Sequence, residues 1–390
     1  MSSAVIRPTA AAAPVAAAVH WGIRTQFFVA GALFATWGVH VPTVKQHYGV
    51  GEQGLALAML ASGVGALLAL MQAGRIVGAF GPRGVAVVSG LLSCGAVALL
   101  VAGQAYVALL ALMALYGAAG SLFDVSINAE ASELERRAGR PVMSGFHALF
   151  SLGGMAGAAV GAGMHHAGVA PQVHLLGAAL ALGVAVLVGA RVMLKLPPSR
   201  EGREPLSLPT GALAWIGLLA AVGLVAEGAM YDWSVLFLEQ ERASDAATAS
   251  LAYASFSAAM AAARFGGDRV RARLAPVALL RASGGLAALG MLLALLLPSP
   301  WAALFGFALV GLGLANVVPV LFSCATRVPG VTPAHGIAAV SSVGYLGMMA
   351  GPPLIGVIAE HASLTLGLGT VAVFAVLLGA AAKRALRPLG

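Results

Sequence analysis

Twelve times between Arg24 and Leu386 the chain passes through about 20 predominantly apolar residues, and this recurrence restricts the fold more than any other feature. At ~1.5 Å rise per residue, such a run crosses a ~30 Å hydrocarbon core as a helix. Inside lipid, only helices and closed barrels satisfy every backbone N–H and C=O. Hydrophobic residues make up 60% of the sequence and charged residues 9%, too few to solvate a soluble globule of 390 residues. The expected fold is an all-α integral membrane protein of twelve transmembrane helices. Their approximate spans are 24–43, 52–73, 84–103, 106–130, 144–166, 172–194, 211–237, 248–266, 276–297, 301–324, 336–359 and 365–386.

An even number of crossings puts both ends of the chain on one side. Of the 22 Lys and Arg residues, all but Lys45 and Arg242 then fall on that same side. Basic short loops stay cytoplasmic, so both termini are expected inside, facing anionic lipid headgroups. The formal net charge of +8 thus reflects topology and contact with membrane lipid. No basic module stands outside the bilayer, so a nucleic-acid partner is not expected. Residues 1–20, Ala-rich with one Arg, read as a disordered cytoplasmic tail, because no long-branched apolar core precedes the Ala run as in a signal peptide.

The polar stretch 195–210 interrupts the hydrophobic pattern at its middle and reads as a cytoplasmic linker between six helices in 21–194 and six in 211–390. The halves look duplicated. Leu152-Gly153-Gly154-Met155-Ala156-Gly157 matches Leu346-Gly347-Met348-Met349-Ala350-Gly351 at five of six positions, and the basic segments Gly74 to Arg83 and Arg264 to Arg273 each follow the second helix of a half. Two parallel six-helix repeats are an architecture of alternating-access transporters, with substrate bound between them near mid-membrane. Cys94 and Cys324 fall in helices of different halves and read as small core hydrophobes, with no disulfide or metal implied.

The segment Gly74-Arg75-Ile76-Val77-Gly78-Ala79-Phe80-Gly81-Pro82-Arg83 resembles the loop signature of the major facilitator superfamily. Gly78 stands where that signature has its Asp, whereas the second copy keeps Asp268-Arg269 but opens on Arg264. The resemblance extends over nearly the whole chain. It includes Phe123-Asp124-Val125-Ser126-Ile127-Asn128, the run from Glu133 to Gly153, Glu227 to Trp233, Gly344-Tyr345-Leu346 and Gly351-Pro352-Pro353. Together these are similar to bacterial inner-membrane permeases of the fucose-permease-like branch. The resemblance implies two pseudo-symmetric six-helix bundles acting as one copy. It also implies a proton-coupled symporter for a carbohydrate-like or other small polar solute, without a cofactor.

Intramembrane acids cost about 2.5–3.5 kcal/mol on insertion scales, so each needs a partner, a cavity or a proton. Asp124 and Asn128 are one turn apart and share a helix face. The resemblance gives Asp124 the proton-carrying role; a permanent hydrogen bond to a neighbouring helix is the structural alternative. Glu227, with Tyr231 one turn on, suits a hydroxylated ligand. Asp232 and Trp233 are expected near the outer interface as solvated acid and belt aromatic. Trp37, His40, Asn316 and Tyr345 are expected to complete the cavity. The additional acid near the outer end of the first helix that the sugar permeases carry is missing here. By spacing its place falls near Lys45, and His40 is the candidate substitute in proton coupling.

Glu133, Glu135, Arg136, Arg140 and His147 cluster at cytoplasmic helix ends and are expected to form ion pairs between halves, a gate, with Arg75, Arg83, Asp268 and Arg269 as a latch on the basic loops. The chain has no P-loop signature, so ATP-driven transport is not expected. Two other functions fit the same pattern: an exporter of drugs or metabolites, and a ligand sensor without flux. Exporters of the superfamily typically carry Gly, three residues, Gly-Pro in the fifth helix; here Gly153, Gly157 and Gly161 lack the Pro, and the pattern recurs as Gly347, Gly351 and Pro352 in the eleventh.

Overall fold

A computed structural model describes residues 17–138, 142–196, 210–331 and 333–387, with the side chains of residues 144, 268, 333–335, 337 and 338 excepted. The described chain forms thirteen helices. They are α1 (Ala17–Tyr48), α2 (Glu52–Phe80), α3 (Pro82–Ala98), α4 (Tyr106–Ala138), α5 (Met143–His166), α6 (Pro171–Arg191), α7 (Gly211–Glu241), α8 (Ala246–Arg273), α9 (Pro276–Leu296), α10 (Pro300–Leu314), α11 (Val317–Ala325), α12 (Pro333–His361) and α13 (Leu364–Leu386). Eleven segments are long and apolar enough to cross a membrane, Pro300–Ala325 counting as one, and the shorter apolar α3 supplies the twelfth crossing. We call the end holding the start of α1 and the finish of α13 the tail end, and the opposite one the far end.

The apolar windows located the crossings but not their ends. A helix already nucleated extends into water at little cost while Ala, Arg and Glu follow, so α1 begins at Ala17, within the segment expected to be a tail. Likewise α2 continues to Phe80, and the segment expected to be a basic loop is helix except at Gly81, whose φ of 74° needs glycine. Arg75 sits on that helix and donates to Gln72, 3.2 Å away on its own face. On the other side α8 runs to Arg273, so Arg264, Asp268 and Arg269 are helical rather than in a turn. The tenth crossing, expected to be continuous, is broken at Ala315 and Asn316. Pro319 explains the break: it has no N–H for the Ala315 carbonyl and its ring would collide with it.

Proline also starts elements, standing at the first turn of α3, α6, α9 and α10, where its missing N–H is no loss. Acids supply the hydrogen bonds that other ends lack. Asp245 caps α8 by accepting from the Thr248 backbone N–H at 3.0 Å and its hydroxyl at 2.8 Å. Glu241 accepts from the Leu364 N–H at the start of α13, Glu135 from the N–H groups of Val142 and Met143 at the start of α5, and Glu130 from that of Leu194. At the far end, Arg242 donates to the last carbonyls of α9, Ala294 and Leu295, at 3.0 and 2.7 Å. That contact accounts for one of the two basic residues outside the main charge asymmetry.

Helices α1–α6 and α7–α13 form two bundles that meet through α5 on α8, α2 on α12 and α1 on α7. Glycines distinguish the contacts inside a bundle from those between bundles. A Cβ on Gly31 would overlap the Phe150 carbonyl, one on Gly153 the Phe28 carbonyl, one on Gly65 that of Ala114 and one on Gly117 that of Ser62. Backbone thus lies directly on backbone in the pairs α1–α5 and α2–α4. Between bundles, Gly63 faces the Met349 side chain and Gly154 the side chains of Ser257 and Tyr253.

Candidate functional site

The bundles enclose a central cavity of about 350 Å³ lined mainly by α1, α2, α4, α7 and α12. Three carboxylates reach it: Asp124 from α4, and Glu227 and Asp232 from α7. Its walls also carry aromatic rings, among them Phe34, Trp37, Tyr116, Phe150, Tyr231 and Tyr345, the thioethers of four methionines, the hydroxyls of Ser62, Ser93 and Ser121, and aliphatic side chains. Among the described residues lining it there is no Asn, Gln, His, Lys or Arg.

Of the residues singled out from sequence, Trp37, Asp124, Glu227, Tyr231 and Tyr345 meet in this cavity. Asp124 accepts a hydrogen bond from Asn128 Nδ2 at 3.0 Å, and the same amide donates to the Asp124 backbone carbonyl at 2.9 Å. Asn128 is therefore spent on Asp124 and does not line the cavity, contrary to the expected substrate contact. Tyr231 donates to Glu227 at 3.4 Å and stacks edge-on against Phe34 of the other bundle, with ring centroids 5.4 Å apart. Tyr345 approaches Asp124 across the interface from α12.

His40 and Asn316 fall elsewhere. His40 is buried between α1 and α6, its Nε2 2.9 Å from His174 Nδ1 and its Nδ1 3.3 Å from Thr43 Oγ1, with the His165 ring 5.2 Å away. A mid-helix His facing its own bundle cannot meet a solute in the central cavity. Asn316 lies at the break between α10 and α11, its Oδ1 against Gly267 of α8. Among the described residues no group of three or more His, Cys, Asp or Glu is suited to hold a metal ion, the imidazole nitrogens of His40 and His174 being turned on each other.

Two functional-looking charges were missed. Asp232, expected at the outer interface, lines the cavity, as do Trp37 and Tyr116 of the other bundle. The α7 helix extends to Glu241, which draws Asp232 inward from the interface by more than two turns. Arg264, expected as a positive-inside charge, donates from Nη2 to Glu227 at 3.1 Å and from Nη1 to Ser151 Oγ at 2.9 Å. Both ion-pair partners are largely shielded from solvent. An arginine at what hydropathy makes the end of a span gives no sign that the helix goes on and carries it inward.

Among the described residues the tail-end charges expected to gate make no ion pair between the bundles in this state. Glu133 pairs with Arg136 and Arg137, each on its own helix, at 2.7 and 2.6 Å, and Glu135 caps α5. His147 packs edge-on against Phe27 of α1, 5.4 Å away. Arg83 lies near Glu130 within its own bundle. Arg269 is exposed on α8; Arg140 and the Asp268 side chain lie outside the described residues. Besides the Arg264–Ser151 hydrogen bond, polar links between the bundles lie at the far end. There Glu360 of α12 accepts from the backbone N–H of Gln53 on α2 at 3.1 Å. Lys45 pairs with Glu52, and Gln240 of α7, with its amide oriented N toward Glu52 and O toward Lys45, lies 3.1 and 2.6 Å from them. At the tail end the bundles are separated by a cleft of about 610 Å³ between Glu135 and Met143 on one side and Arg271, Leu279, Ser323 and Arg327 on the other.

Two membrane-spanning helix bundles clasping a mid-membrane cavity define a multi-pass membrane transporter. Residues 23–352 match the Major Facilitator Superfamily, and the chain belongs to that family. It is 33% identical over 365 residues to an uncharacterized MFS-type transporter of Yersinia pestis, covering 93% of this chain and 95% of that protein. Its fold is similar to that of a D-xylose–proton symporter, with a TM-score of 0.72 at 14% identity over 93% of this chain and 97% of the other. It is also similar to that of the fucose–proton symporter of E. coli, with a TM-score of 0.63 at 15% identity over 93% and 97%.

Proposed function

We propose that this chain is a proton-coupled secondary transporter of the bacterial inner membrane, importing a small polar solute by alternating access, with the tail end and both termini cytoplasmic. A single copy suffices, because one chain encloses the cavity. The orientation rests on the Lys and Arg asymmetry. One observation carries the coupling: Asp124 lies on the cavity wall at the bundle interface, held by Asn128 and with no ion-pair partner among the described residues. Such an acid is left two stable conditions in low dielectric, protonated or paired, and a carrier that alternates between them couples proton to solute. The far end is tied across the bundles while the tail end carries a cleft, which supports a state poised toward the cytoplasm. Asp232 and Glu227 are the acids offered to solute.

Export draws less support. Gly347 and Gly351, the glycines of the exporter-like pattern, are occupied in packing α12 on Ala221 and Val225 of α7, and Gly153, Gly157 and Gly161 in packing α5 on α1. Flux into proteoliposomes under an imposed pH gradient tests the proposal. Asp124→Asn keeps shape and hydrogen-bonding capacity but cannot titrate, so it is expected to abolish proton-driven accumulation and keep counterflow exchange. Accumulation by Asp124→Asn in response to ΔpH would remove Asp124 from the carrier role.

A further inference from the structure

Asp232 is the acid whose surroundings say most about the solute. It lines the cavity together with Trp37 of α1 and Tyr116 of α4, so the other bundle brings aromatic rings to the same space as this carboxylate. No ion pair to it exists among the described residues, whereas Glu227 has Arg264. Four methionines add polarizable walls to the same cavity. Toward a neutral sugar the lining offers three carboxylates and the hydroxyls of three serines and three tyrosines, but among the described residues no Asn, Gln, Lys, Arg or His.

We infer that the cavity takes a small amphiphilic ammonium ion, with its charge at Asp232 near Trp37 and Tyr116 and its apolar part on the methionine and phenylalanine walls. An uncompensated carboxylate supplies the counter-charge, and ring faces attract a desolvated cation most strongly when water is excluded. A carboxylate-bearing or phosphorylated solute meets the opposite conditions: two unpaired acids and no free donor cation in the lining. The division of labour follows. Asp232 holds the solute charge, leaving Asp124, on α4 in the other bundle, to the proton. This inference rests on the transporter reading of the same cavity, but binding tests it apart from flux.

The experiment uses the full-length protein in nanodiscs and two probes of one shape, phenethyltrimethylammonium and its uncharged carbon isostere, with L-fucose as the sugar comparison. The expected result is saturable binding of the ammonium, at least about tenfold tighter than the isostere, with no saturable binding of fucose. Asp232→Asn should reduce ammonium affinity by about tenfold and leave the isostere unchanged. If that variant does not fold, the wild-type comparison of charged and uncharged probes decides alone. Equal binding of isostere and cation, fucose binding, or no binding of any cation overturns the inference. Cation-selective binding without ΔpH-driven flux would instead sink the transporter reading and leave the site standing.

Discussion

Arg264 of α8 donates to Ser151 Oγ of α5 across the bundle interface, 2.9 Å apart, while its other nitrogen holds Glu227 of α7. The ion pair inside one bundle thus aims a hydrogen bond at the other. Any motion of α5 along α8 has to exchange that bond for another partner or for water, so Ser151 reports which way the bundles are rocked.

The pair itself is testable. Arg264→Gln leaves Glu227 as an unpaired carboxylate in a shielded site, where breaking a buried pair costs about 3–5 kcal/mol. Arg264→Gln with Glu227→Gln removes both charges and should recover much of the loss. Apparent melting temperatures in detergent measure this cycle. A double variant no more stable than Arg264→Gln would show that the arginine acts without its partner.

The far-end link should set the conformational balance. Glu360→Gln weakens one hydrogen bond from the Gln53 backbone, so the far-end distance between spin labels at Gln104 and Ser299 should gain weight at long separation. Net bonds to charged groups contribute about 1.5–3 kcal/mol, enough to move a minor state into view. Arg136→Gln, by contrast, breaks a contact within α4 and should leave the distribution as it is. A response to Arg136→Gln and none to Glu360→Gln would reverse the assignment of the gate.

Topology can be read chemically because both native cysteines, Cys94 and Cys324, are buried. Gln104→Cys and Ser299→Cys should react with a membrane-impermeant maleimide in intact cells, and Arg273→Cys only after lysis. Labelling of Arg273→Cys from outside would invert the proposed orientation.

Asp245 gives a pH signature. Hydrogen bonds from the Thr248 N–H and hydroxyl hold its carboxyl below the usual carboxylate range. A depressed folded-state pKa stabilises the fold above the unfolded value and loses that contribution as pH falls through the folded one. Asp245→Ala should therefore cost about 1 kcal/mol near neutrality, and the gap between variant and wild type should close in acid. A gap unchanged down to pH 3 would mean the cap works through packing alone; this pH is about one unit below the reference Asp value.

The crossings were legible because lipid punishes an unpaired backbone so strongly that the apolar windows cannot be anything but spans. What the windows could not give is where helices stop, since no desolvation penalty operates beyond the headgroups. That one gap hid Arg264, which a boundary near residue 266 left at the membrane edge, and Asp232, which a boundary near residue 237 left at the opposite edge. Asp124 and Asn128 were found from their spacing because one turn is a local relation. The turn of His40 onto His174, 134 residues away, is not written in the neighbourhood of either. Pro319 acts on the Ala315 carbonyl four residues upstream, so the break beside Asn316 is found only by reading the proline backward along the chain.

The two kinds of glycine should separate in a library of variants scored for cellular abundance and for growth on transported solute. Gly31, Gly65, Gly117 and Gly153 each admit a neighbouring backbone that has nowhere to retreat, so alanine there should deplete the protein itself. Gly63 and Gly154 meet chiefly side chains of the other bundle, so alanine there should leave the protein present and alter how fast it cycles. Quality control would read the first set and selection for uptake the second, and the border between them would trace, in genetic data alone, the surface on which the molecule moves.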